Sequence, residues 1–110
     1  MNTADSLRGY DDLRSPEVCA NNEPWIPARV LLQFPFFAPG SHAKNVTCPI
    51  YFAVCETDSV CPPLPSIEYA KKAPRGRCKV YKGIGHFDIY LGKHFEVAVE
   101  DYIRFYDEVV

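Results

Sequence analysis

Hydrophobic and polar positions divide the chain unevenly. From Met1 to about Pro27 the residues are polar and turn-forming, and Asn21-Asn22-Glu23-Pro24 does not suit the interior of a helix or strand. The pattern predicts an irregular segment over residues 1–27 that leans on whatever follows it. The run ARVLLQFPFF, from Ala28 to Phe37, is strongly apolar and interrupted by Pro35. It reads as a short helix ending near Phe34 or as an extended packing segment, and periodicity alone leaves both open.

A clearer signal begins after Pro49. IYFAVCE is a continuous apolar run rich in β-branched and aromatic residues, bounded by Pro49 and by Thr57-Asp58-Ser59. Such a run suits a strand buried on both faces of a parallel sheet. Pro62, Pro63 and Pro65 then break the chain, and Ser66 to Ala73 reads as a helix closed by Pro74-Arg75-Gly76. Arg77 to Tyr81 reads as a second short strand, and Gly83 and Gly85 as a loop. From about His94, Phe95, Val99, Tyr102, Ile103 and Tyr106 recur at helical spacing to the C-terminus. The order strand, helix, strand, helix predicts an α/β unit within residues 28–110, with parallel strands joined by a right-handed crossover. The loops after both strands then share one sheet edge, where α/β proteins place their sites. Asp58 and His86 occupy those two loops.

Composition narrows the class. With 47% hydrophobic and 24% charged residues among 110, the chain is expected to fold as one domain with a modest core. A formal charge of −2, with acids and bases interspersed, provides no basic stripe and argues against a nucleic-acid partner. No apolar run approaches the roughly 20 residues that span a bilayer, and MNTADSLRGYDDLRSPE lacks the apolar centre of a signal peptide, so the expected location is cytoplasmic and no membrane is involved. Cys19, Cys48, Cys55, Cys61 and Cys78 make an odd set without a CxxC pair. Reduced thiols are expected, with no zinc module, other metal site or cofactor.

The chemistry on offer centres on Asp58 and His86. An aspartate that accepts the Nδ1 proton of a histidine fixes its tautomer and stabilises the imidazolium, leaving Nε2 free as a general base. Glu56 could supply a second carboxylate to the same cleft, cap the loop or face solvent. Asp88 has the spacing to bond loop amides. Cys55 and Cys61 flank Asp58, and a thiol beside a protonated histidine could ionise below its free pKa of about 8.5, although packing explains both cysteines equally well. His42 and His94 lie in polar surroundings and read as surface residues. Trp25, Phe34, Phe36, Phe37 and Tyr90 could line an apolar pocket for a flat ligand or belong to the core.

From about Ala28, and most clearly from Pro49 onward, the chain resembles the C-terminal part of an α/β-hydrolase, in the dienelactone-hydrolase and acyl-esterase branch. CPIYFAVCETDSVCPP matches the next-to-last strand and its acid loop, and the resemblance implies that Asp58 is the catalytic acid. YKGIGHFDIYLG matches the last strand and its Gly-His step, which implies that His86 is the base. The nucleophile motif of that family, G-x-S-x-G, is absent, and Ser41 in PGSHAK lacks the second glycine. The resemblance, so truncated, implies a serine-less enzyme in which Asp58 and His86 act as general acid and base in acyl transfer. The leading expectation is intramolecular cyclisation of an acyl or polyketide (thio)ester to a lactone or α-pyrone, with the small-molecule substrate delivered by a larger synthase. The alternatives are a non-catalytic binding or assembly module, or a separately expressed fragment of a conventional hydrolase. Two parallel strands are too little sheet to stand alone, so a homodimer that completes the truncated sheet is also expected.

Overall fold

A computed structural model of the chain describes residues 4–14, 27–33 and 36–110. Helix α1 spans Ala4–Leu13, α2 Ala28–Gln33, and a 3-10 turn Pro39–Asn45. Strand β1 (Ile50–Cys55), α3 (Pro63–Lys72), β2 (Gly76–Tyr81), a second 3-10 turn (Asp88–Tyr90) and α4 (Gly92–Val109) follow. The fold is mixed α/β, with β1 and β2 paired in parallel from Ile50 opposite Gly76 to Cys55 opposite Tyr81.

Several boundaries differ from those the sequence predicts. Helix α3 starts three residues before Ser66, because Pro63 falls at its first turn, where a proline needs no N–H partner and already has a helical φ. Strand β2 gains Gly76, and α4 begins at Gly92 rather than near His94. The larger correction is α1, since residues 1–27 were expected to be irregular. Gly9 makes this helix possible: a Cβ there would lie 2.1 Å from the Phe87 ring, so only a bare backbone lets α1 lie against the His86 loop.

The two faces of the sheet are covered differently. Helix α4 lies over the face carrying Tyr51, Ala53 and Cys55, and Cys55, Tyr81, Ile84, Ile89 and Ala98 form the core there. The stripe read from the sequence is rotated in the folded protein. Ala98 and Phe105 are the buried residues of α4, whereas Phe95, Ile103 and Tyr106 remain exposed. Small Ala98, 1% exposed, is what lets the helix approach Cys55 and Tyr81 closely. Polar bonds fix the same contact: Tyr81 Oη donates to Asp101 Oδ2 at 2.9 Å, and Lys79 Nζ donates to the same oxygen. Burial, together with the Tyr51 and Asp101 contacts, pushes the Tyr81 hydroxyl far up from its ordinary pKa, so it stays a proton donor. Strand β1 was expected to be buried on both faces, yet it is deeply buried only at Val54 and Cys55. A sheet of two strands covers no more than that.

Helix α3 packs on the opposite face and closes tightly onto the start of β2. A Cβ at Gly76 would lie 2.3 Å from the Ala70 carbonyl oxygen, so any side chain there forces backbone apart. Gly76→Ala is expected to destabilise the protein by roughly 1–3 kcal/mol in urea unfolding. A change of only a few tenths would show that this junction is loose.

Candidate active site

The parallel ladder continues beyond the strands and aligns the two loops. Glu56 N–H donates to the Tyr81 carbonyl at 2.9 Å, and Thr57 N–H donates to the Ile84 carbonyl at 3.1 Å. The first loop then turns on Asp58, whose Oδ1 accepts the backbone N–H groups of Val60 (2.9 Å) and Cys61 (2.7 Å). Short polar side chains make such turns with nearby amides. With Oδ1 committed to the loop, Oδ2 is left to face His86.

The second loop is built to meet it. Gly83 turns the chain with φ of 70°, which a side chain would resist. Its N–H donates to Glu56 Oε2 at 2.9 Å, so Glu56 ties the loops together and is itself exposed. Gly85 N–H donates to Asp88 Oδ2 at 2.6 Å, which closes the loop around His86. The His86 ring stands edge-on to Phe87, with centroids 4.8 Å apart. Phe87 in turn carries α1.

His86 Nδ1 lies 2.8 Å from Asp58 Oδ2. The Asp58 side chain is 9% exposed and that of His86 is 28% exposed, so the carboxylate is sheltered and the imidazole is reachable. Burial pushes the Asp58 carboxyl up, but the bonds from Cys61, His86 and Val60 outweigh it and hold the group below the usual carboxylate range. Ionised Asp58 accepts the Nδ1 proton and leaves Nε2 as the basic nitrogen.

A cavity of about 170 Å³ opens beside the pair, lined also by Ala53, Cys55, Cys61, Ser66, Tyr90 and Tyr102. Of the proposed pocket aromatics, Tyr90 reaches this cavity. Phe36 and Phe37, at 88% and 72% exposure, do not line it, and Trp25 and Phe34 lie outside the described residues. His42 and His94 are exposed and do not line this cavity. Burial and the negative charge of Asp58 push the thiols of Cys55 and Cys61 up, and Asp88 adds to this at Cys55. Both thiols are therefore protonated near neutral pH and poor nucleophiles. The four described cysteines are free thiols, and Cys19 lies outside the described residues. Among the described residues, no group of three or more His, Cys, Asp or Glu side chains is placed to hold a metal ion, and no helix is long and apolar enough to cross a membrane.

Sequence reasoning passed over Ser66 and over Tyr102 as a lining residue. Ser66 stands in the early turns of α3, just after the Asp58 loop, and that adjacency was its only signal. Tyr102 belongs to the helical stripe read from the sequence, and its place beside the Asp58–His86 cavity is set by how α4 packs on the sheet.

No protein-family model matches the chain. No solved structure matches it either. Among curated proteins the chain is similar to quorum-quenching protein AidA of Acinetobacter baumannii (strain MDR-ZJ06), with 34% identity over 110 residues. The match takes in all of this chain and 35% of that protein, so the chain spans about a third of the relative's length.

Proposed function

We propose that the chain is an α/β-hydrolase-like enzyme of acyl transfer in which Asp58 orients His86 and His86 moves the proton. The observation that carries this reading is the 2.8 Å contact between Nδ1 and Oδ2, with the other carboxylate oxygen held by two backbone N–H groups. Because the loop holds Oδ1, Oδ2 is presented to the imidazole in one orientation.

The chemistry follows from the free nitrogen. Nε2 accepts the proton of an attacking hydroxyl, whose oxygen adds to the carbonyl carbon of an ester or thioester. The resulting imidazolium is stabilised by Asp58, and it returns its proton to the leaving oxygen or sulfur as the carbonyl re-forms. Neither neighbouring thiol is activated, and the proposed nucleophile is the hydroxyl of water or of the substrate. A substrate hydroxyl benefits from intramolecular effective molarities on the order of 10⁵ M or more, which supports lactone or α-pyrone closure. Ring opening of a lactone by water uses the same proton relay, through a tetrahedral intermediate that carries the water-derived hydroxyl and expels the ring oxygen. The name of the relative, a quorum-quenching protein, weighs toward opening, because quenching consumes a signal whereas cyclisation makes a product.

One observation favours a second reading. The chain covers 35% of its relative, which leaves room for residues outside it to complete the site as in a conventional hydrolase. Turnover that appears only after a second polypeptide is added would support that reading over the first.

With a chromogenic short-chain ester and a γ-lactone as probes, His86→Gln and Asp58→Asn are each expected to lower kcat by about 10²- to 10⁴-fold, with circular dichroism unchanged. Wild-type rates retained in both variants would refute the proposal. The pair also predicts an acid limb in stability. The Asp58 pKa is lower in the folded than in the unfolded chain, so its contribution is complete above the unfolded value of about 3.9 and disappears as pH falls through the folded value. Asp58→Asn has no such group to titrate. The gap in urea midpoint between wild type and variant should therefore narrow steadily on acidification, and a gap that stays constant would contradict the assigned charge state.

A further inference from the structure

We infer that Asp88 is the positioning residue for His86: by holding the Gly85 N–H, its carboxylate fixes the backbone around the histidine so that Nδ1 is aimed at Asp58. The inference rests on the reading of His86 as the base and deepens it, since it names what aims that base.

The sequence itself creates the need for a holder. In GIGHFD a glycine stands immediately before His86, so local backbone preference specifies only weakly the direction in which the imidazole leaves the chain. The acid loop meets the same problem with a side-chain carboxylate, Asp58 Oδ1 accepting the N–H groups of Val60 and Cys61. The base loop has its own version of that device.

Gly85 N–H donates to Asp88 Oδ2 at 2.6 Å, and the bond closes a short ring of chain that contains His86 and Phe87. The Asp88 carbonyl accepts the Leu91 N–H at 3.1 Å, one residue before α4 begins at Gly92. Asp88 therefore ties the backbone in front of His86 to the entry of the helix that packs on Cys55 and Tyr81. Ile84, Phe87 and Ile89 are buried on either side of the histidine, so the ring has fixed points to pull against.

Two carboxylates hold amides of this loop, and burial decides which of them aims the base. Glu56 holds the Gly83 N–H where both residues are exposed, so water can take over that bond. Gly85 is buried. An N–H there that loses its acceptor keeps its desolvation cost uncompensated, and the backbone must turn to find another partner. His86 is the next residue, so any such turn swings the imidazole away from Asp58 Oδ2. Asp88 does not line the cavity beside the pair, and its effect passes through His86. Its charge still reaches that cavity, where, after burial and Asp58, it helps to push the Cys55 thiol up. Asparagine keeps an oxygen acceptor at this position and removes the charge, which separates the two ways for Asp88 to act.

Asp88→Ala and Asp88→Asn, read by imidazole NMR and by turnover of the chromogenic ester, test the inference. In the wild type the Nδ1 proton held by Asp58 is expected as a slowly exchanging low-field resonance. Asp88→Ala is expected to lose that resonance and to lower kcat by about 10- to 10²-fold with KM little changed, the cost of misplacing a reacting group by about 1 Å. Asp88→Asn is expected to restore the resonance and to bring kcat back to within a few-fold of wild type. An alanine variant that keeps the resonance overturns the inference, and so does an asparagine variant that behaves like the alanine one. Should the alanine variant fail to fold, exchange in the wild type decides: the Gly85 amide and the His86 Nδ1 proton are expected to lose protection together as urea is raised. A Gly85 amide that exchanges freely while Nδ1 stays protected overturns it. The resonance needs no substrate, so a wild type without turnover counts against the acyl chemistry alone, and the NMR arm still decides the role of Asp88.

Discussion

Pairing of Cys55 with Tyr81 at the end of a parallel ladder fixes where the loops carrying Asp58 and His86 begin. Because the strands run the same way, both loops leave from one end of the sheet. Had the two six-residue strands been antiparallel, the loops would have emerged about 20 Å apart, at a rise near 3.3 Å per residue. The added bonds from Glu56 and Thr57 carry the alignment into the loops themselves. Asp58 and His86 thus meet at 2.8 Å across 28 residues of sequence without either loop needing to be long.

The molecule holds this end of the sheet more firmly than the rest. Ile84 and Ile89 are buried beneath the His86 loop, Ala98 brings α4 down on Cys55 and Tyr81, and Asp101 binds Tyr81 and Lys79 together. The opposite side of β1 has no comparable cover among the described residues. An ordered acid–base pair therefore sits at the border between a packed core and an open strand edge. Ala53 and Tyr102 line both the cavity beside the pair and the one along that edge, so whatever covers β1 also shapes the wall of the first.

The strands and the meeting of Asp58 with His86 were legible in the sequence because each had a local signature: a short apolar run, a polar loop, and one ionisable residue in it. The crossover order then placed both loops at one edge by topology alone. Features set by contact between distant segments were not legible. Helix α1 depends on Gly9 meeting Phe87, and ADSLRGYDDL gives little sign of it. The rotation of α4 is set by the space above Cys55 and Tyr81, which favours Ala98 over the larger Phe95 and Ile103. Ser66 and Tyr102 line the cavity with residues of β1 and of both loops, a meeting of distant segments that no local pattern announces. Phe36 and Phe37 mark the reverse error, in which hydrophobicity suggested a pocket that their exposed positions do not form.

The central claim is that Asp58 holds the proton of His86 on Nδ1 and leaves Nε2 basic. Long-range nitrogen–proton correlation NMR of the imidazole rings, at a pH where His86 is neutral, reads this directly. The expected result is a protonated Nδ1 and a bare Nε2 in the wild type, with that preference lost in Asp58→Ala. A neutral His86 carrying its proton on Nε2 would mean that Asp58 does not orient the base, and would contradict the account.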